Sequence, residues 1–144
     1  MENIEKFMIN VPEKDIDLLH QKIDLTRWPD EINNKWSHGT DLNFLKELTN
    51  YWRNEFNWRD HEKKINDIGS YRYKTKSGLK LHFLHSKSEK DNAIPLVMTH
   101  GWPGSIQEFL KIIPIIQKNS DVPIDIVCPA LPGFGFSDKP TETG

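Results

Sequence analysis

The run Leu96-Val97-Met98-Thr99-His100-Gly101-Trp102-Pro103-Gly104-Ser105 constrains this chain more than any other stretch. It reads as a strand, then a glycine-and-proline turn, then a capped helix start. Backbone N–H groups at such a turn point together at a spot where negative charge can form. Ile94 to Thr99 is continuously apolar, the pattern of a central strand buried on both faces. Ser105-Ile106-Gln107-Glu108 is a capping box, predicting a helix through Phe109, Leu110, Ile113 and Ile116 that Pro114 should kink or end early. Ile124 to Cys128 is a second short buried strand. The two strands and their helix make a βαβ unit, with a right-handed crossover expected. In open sheets of this kind, sites form at the carboxyl ends of strands. The loops after Thr99 and after Cys128 both leave from such ends.

Upstream of this unit the character of the chain changes. Pro12 suits a first helical position, and Ile16, Leu19 and Ile23 then share one helix face. After a loop with Pro29 and Gly39, Asp41 caps a predicted second helix. Its Leu42, Leu45, Leu48, Trp52 and Phe56 form one stripe, read as core. Asn57 to Asp67 reads as a short third helix capped by Asn57. From Ser70 the period becomes two: Tyr71, Tyr73 and Thr75, then a Ser77-Gly78 turn, then Leu79, Leu81 and Phe83. That is a hairpin of two half-exposed strands. The expected division is therefore a helical segment over 1–69 and an α/β segment over 70–144.

Composition excludes more than it assigns. A net charge of −2 offers no electrostatic case for nucleic acid or an anionic membrane. No uncharged apolar run approaches the roughly 20 residues of a membrane span. The first residues hold no apolar stretch of a secretion signal, and the single Cys128 fits a reducing compartment, so a cytoplasmic protein is the expectation. No metal site is expected. His82 and His85 lie three apart on a strand, which places them on opposite faces, and the other histidines are scattered. Gly133-Phe134-Gly135 lacks the third glycine and the helix onset of a dinucleotide fingerprint.

Two sets of residues together carry a family resemblance. One is His100-Gly101-Trp102-Pro103-Gly104-Ser105 with Glu108-Phe109. The other is Pro129-Ala130-Leu131-Pro132-Gly133-Phe134-Gly135-Phe136-Ser137-Asp138. They closely resemble the start of epoxide hydrolases of the microsomal and juvenile-hormone type. Thr26-Arg27-Trp28-Pro29, Leu48 to Arg53, Asn57-Trp58-Arg59 with Glu62, and Gly78 to Phe83 resemble that family's N-terminal domain. A His-Gly-x-Pro turn alone is common to many α/β-hydrolases; the helical extension makes the resemblance specific. It implies an α/β fold in which the N-terminal helical extension (1–69) precedes the first half of an α/β-hydrolase sheet (70–144), truncated before the nucleophile elbow.

The resemblance also implies a chemistry. In the family an aspartate attacks an epoxide carbon while two lid tyrosines assist the oxygen. A His–acid pair then activates water to release a vicinal diol, with no cofactor. Of this machinery the matched residues hold the oxyanion loop. Trp102 is the candidate donor through its backbone N–H, with His100, Gly101 and Pro103 in support; the Trp102–Pro103 bond is a candidate cis peptide. His100 is read as structural, bonded into the adjacent loop. Phe134 is a candidate neighbour of substrate, Asp138 a cap of the following turn, and Cys128 a small buried residue.

No G-x-S-x-G or G-x-D-x-G elbow occurs. The expectation is thus a fragment that steadies charge, inactive alone, taking a small-molecule epoxide only when completed by a C-terminal half. Two other readings stay open. One is a non-catalytic binding or regulatory module; the other is one half of a split hydrolase. In the fragment reading, Ile94 to Thr99 would lack one parallel neighbour, and the bare edge would invite self-association; the binding-module reading would need that edge covered by a partner.

Overall fold

The structure, a computed structural model, describes residues 3–32 and 36–142. Five strands form one sheet: β1 (Ile4–Lys6), β2 (Ser70–Lys74), β3 (Lys80–Ser86), β4 (Ile94–Val97) and β5 (Ile124–Pro129). Their spatial order is β1-β2-β3-β5-β4. The first three junctions are antiparallel, and β4 runs parallel to β5, as the hairpin and the βαβ unit require. The helices are α1 (Glu13–Asp24), α2 (Leu42–Asn54), α3 (Trp58–Ile68) and α4 (Ile112–Asn119).

Residues 10–59 form one compact unit, and residues 1–9 with 60–144 form the other. In the first, α1 follows Pro12, which stands just before the helix and whose carbonyl accepts from Asp15 N at 2.9 Å. Asp41 caps α2 as expected, accepting from Phe44 N at 2.9 Å. The α2 stripe is not the core it resembles. No residue of α1 or α2 is buried, and Leu48 and Trp52 are about half exposed. Amphipathic spacing groups apolar side chains on one face; whether anything covers them is a separate matter.

The core lies in the sheet unit. Leu84, Ile126 and Cys128 are fully buried on one sheet face, with Ile9, Ile65, Ile106, Ile113 and Ala130 also buried. Register explains their convergence. Leu84 pairs with Cys128 and Ser86 with Ile126, and partners in a ladder share a face. On the hairpin this buried face carries Ser70, His82 and Leu84, while the reverse face stacks Tyr71 on Phe83 at 5.6 Å and is half exposed. The alternation of aromatic and leucine residues therefore marked the more open side. Strand β1 was not anticipated from its Ile-Glu-Lys; it pairs with Tyr71 to Tyr73 of β2. Gly69 leads into β2 with φ +106°, and a Cβ there would lie 2.7 Å from the His85 carbonyl oxygen. Glycine alone fits.

Two expectations around the crossover change. The strand read as Ile94 to Thr99 ends at Val97, although Met98 N still donates to Val127 O at 3.0 Å. It is an edge strand rather than a buried central one, because β5 lies between it and β3. Ile94 is 53% and Val97 63% exposed, which is the bare edge foreseen above. The single helix expected from Ser105 is two pieces: a 3-10 turn at Ile106–Phe109, then α4. Pro114 sits in the first turn of α4, where its missing N–H forfeits no helical bond, so the break comes before it.

Candidate functional site

The turn after β4 is built by local bonds. Gly104 N donates to Gly101 O at 2.8 Å, and the Trp102–Pro103 peptide is cis. The capping box forms as its sequence demands: Gln107 N donates to Ser105 Oγ at 3.3 Å, and Ser105 N to Glu108 Oε1 at 3.1 Å. Gly104 is needed for this closure. A Cβ on it would collide with the Glu108 carboxyl group and stand 3.0 Å from Gly101 O. Gln107 Oε1 also meets His61 Nε2 at 2.6 Å. Trp102 is 85% exposed, and its backbone N–H finds no acceptor among the described residues.

His100 is almost fully buried at 3% exposure. Its Nε2 accepts from Leu131 N at 3.1 Å, so the ring proton resides on Nδ1, which donates to Gly101 O at 3.1 Å. This histidine joins the loop after β4 to the loop after β5. Its ring lies 5.2 Å from that of Phe134. With both nitrogens engaged, His100 has no free position from which to move a proton during a reaction.

The loop after β5 is folded back on the hairpin. Phe134 N donates to Leu131 O and Ser137 N to Phe134 O, with Gly133 at φ +82° and Gly135 at φ +51° making the reversals. Ser137 Oγ donates to Ala130 O at 2.8 Å and accepts from His82 N at 2.9 Å. Arg72 Nη2 donates to Phe136 O at 2.9 Å while its guanidinium lies 3.9 Å from the Phe7 ring centre. Asp138 does not cap a following turn. Its Oδ2 accepts from Lys80 N at 2.9 Å and its own N–H donates to Lys80 O, so it fastens the loop to the start of β3.

Beneath this loop lies a buried polar pair. Ser70 Oγ and His82 Nε2 are 2.6 Å apart, and both residues are essentially inaccessible. Burial first, and then the Arg72 charge, push the His82 ring down to about 4, so it is neutral near neutrality. Phe7 and Phe136 present ring edges to it, each at 5.6 Å. His85 is on the other face, near Tyr71, as strand alternation requires. Burial pushes the Cys128 thiol up to about 11, leaving no thiolate nucleophile there. Among the described residues, no three His, Cys, Asp or Glu side chains gather as metal ligands.

The structure thus brings His100, Gly101 and Phe134 together and leaves Trp102 projecting from the turn. Leu131 and Ser137, which hold this arrangement, were not singled out by sequence reasoning. Both act through hydrogen bonds to main chain or to a distant ring, which leave no periodicity or spacing behind. Chemically, the turn after β4 leaves the Trp102 N–H without an acceptor among the described residues.

Comparison with known proteins supplies the context. Residues 4–109 match the family model described as the epoxide hydrolase N terminus. A putative epoxide hydrolase of Stigmatella aurantiaca is 42% identical over 98% of this chain, covering 33% of its own length. Epoxide hydrolase 1 of Oryctolagus cuniculus is 38% identical over 99% of this chain and 34% of its own. The crystal structure of juvenile hormone epoxide hydrolase from Bombyx mori superposes with a TM-score of 0.85 at 28% identity, over 98% of this chain and 39% of that one. The chain spans about a third of the length of the curated relatives it matches.

Proposed function

This chain belongs to the epoxide hydrolase N-terminus family, and we propose that it supplies the charge-stabilising half of a site that hydrolyses epoxides to vicinal diols. The observation that carries this reading is the Trp102 N–H, which has no acceptor among the described residues and lies in a turn closed by the His100 and Gly104 bonds to Gly101 O and by the cis Pro103. Hydrolysis of an ester intermediate passes through a tetrahedral oxyanion, and a fixed N–H stabilises it without reorganising. Phe134, against the His100 ring, is the candidate apolar wall for the substrate. No cofactor is called for.

The groups that break bonds are not among these residues: the sequence holds no aspartate elbow. They come from further polypeptide, joined to this one or separate from it. The purified 144-residue chain should therefore form no diol from styrene oxide above the buffer rate, and turnover by it alone would overturn this reading. Co-expressed with the remaining two-thirds of the Stigmatella relative, it should gain turnover. In such an active pair, losing the Trp102 donor should lower kcat by about 10²–10³-fold.

The exposed β4 edge favours a second reading alongside the first. Ile94 and Val97 flank unpaired strand backbone, a surface that associates with another copy when no other strand covers it. Light scattering of the isolated chain should show concentration-dependent association, and Val97→Lys should suppress it. A cytoplasmic setting suits the lone buried cysteine, and no described helix is long and apolar enough to cross a membrane. Retention of a tagged copy in the cytoplasmic fraction checks that assignment.

A further inference from the structure

The bonds of the two loops form one chain with a single direction. His82 N–H donates to Ser137 Oγ, and Ser137 donates to Ala130 O. Ala130 O and Leu131 N–H belong to one planar trans peptide, so they point opposite ways. Holding the oxygen therefore aims the N–H, which donates to His100 Nε2. The ring passes the direction on, its Nδ1–H donating to Gly101 O. Gly101 O and Trp102 N–H again share a trans peptide, and the second N–H is the one without an acceptor among the described residues. Every donor in this series points the same way, an arrangement in which hydrogen bonds polarise one another.

We propose that Ser137 is a positioning residue: through two peptide planes and the His100 ring, its hydroxyl sets the orientation of the Trp102 N–H. Ser137 is the one side-chain hydroxyl in the relay and its point of entry from the buried hairpin. The site beneath it is built to keep it there. Ser137 is buried between the main chains of His82 and Ala130, and the residues on both sides are tied to the hairpin as well. Phe136 O accepts from Arg72, and Asp138 exchanges bonds with Lys80. The inference rests on the reading of Trp102 as the oxyanion donor only for its consequence in catalysis; the relay itself is a statement about bonds.

The test is nitrogen-15 NMR of the histidine-labelled 144-residue chain, which reads which ring nitrogen carries the proton. His100 should show a protonated Nδ1 and an accepting Nε2, with a slowly exchanging Leu131 amide. In Ser137→Ala the His100 signal should move toward a mixture of tautomers, and Leu131 exchange should accelerate by about tenfold, the equivalent of one net hydrogen bond. Ser137→Thr, which keeps the hydroxyl, should restore both. Ile113→Val, a destabilising change in the core away from the relay, should leave the His100 tautomer alone. If Ser137→Ala fails to fold, Ser137→Cys gives the same readout with a weaker donor, and a partial shift is expected. An unchanged His100 tautomer in the folded alanine or cysteine variant would overturn the proposal. So would a wild-type His100 protonated on Nε2, or an equal shift in Ile113→Val. None of these readouts uses epoxide turnover, so a silent activity assay tests the functional reading separately.

Discussion

Residues 10–59 and the sheet unit start from similar sequence material and end in different physical states. Both have apolar side chains at the spacing their elements need. In the sheet unit, register gathers Leu84, Ile126 and Cys128 onto one covered face, and all three are fully buried. In the helical unit, neither α1 nor α2 buries a single residue, and Leu25, Ile32 and Trp36 are largely exposed. An apolar stripe records what a surface can bury. Only a second surface turns that capacity into stability.

That contrast can be broken by measurement, beginning with the core. Leu84→Ala removes a fully buried side chain between two strands and should cost about 2–5 kcal/mol in denaturant unfolding. A loss below 1 kcal/mol would mean that the sheet interior is as loose as the helical unit.

Acid provides the next largest effect, through His82 in the sheet unit. His82 titrates at about 4 when folded, against 6.5 when exposed. Between those values the unfolded chain holds a proton that the folded one refuses. Stability attributable to this group is therefore intact above pH 6.5 and falls as the pH drops toward 4, by about 3 kcal/mol in all. Unfolding free energies measured from pH 7 to pH 4 should show this slope in the wild type and a flatter one in His82→Phe. Equal slopes would remove the buried neutral histidine from the account.

Two smaller changes sharpen the helical side. Asp41→Ala removes the α2 cap and should lower stability by about 1 kcal/mol, visible as faster amide exchange at Phe44. Leu48→Ala, at a position half exposed already, should cost less than about 1 kcal/mol. A loss at Leu48 comparable to that at Leu84 would show that the α2 stripe is covered in solution, by association or by a partner.

Much of the architecture was legible because it depends on near neighbours in the chain. Asp41 and Asn57 cap their helices through bonds spanning two or three residues. Ser77-Gly78 closes the hairpin, and the capping box at Ser105 forms although the helix it opens is interrupted. Strand β1 escaped notice because three residues, two of them charged, carry no pattern without the partner strand. The polar face of the hairpin escaped as well. Ser70 and His82 look like solvent-facing residues until Phe7 and Phe136, from 75 and 54 positions away along the chain, close over the histidine ring.

The candidate site divides along the same line. The turn, its cis proline and its glycines were readable, since a few adjacent residues dictate a tight turn. The clasp behind it was not. His100 and Leu131 are 31 residues apart, and Ser137 meets His82 across 55.

By itself, the sequence determined the helix caps, the hairpin turn and the glycine-and-proline turn after β4. Those are matters of local sterics and of hydrogen bonds within a few residues. The tertiary structure decided which sheet face is buried, which strand is left at the edge, and which distant groups bond Ser137 and His100. Such choices depend on surfaces meeting across the chain, and side-chain order along the backbone does not encode a meeting until the chain has folded.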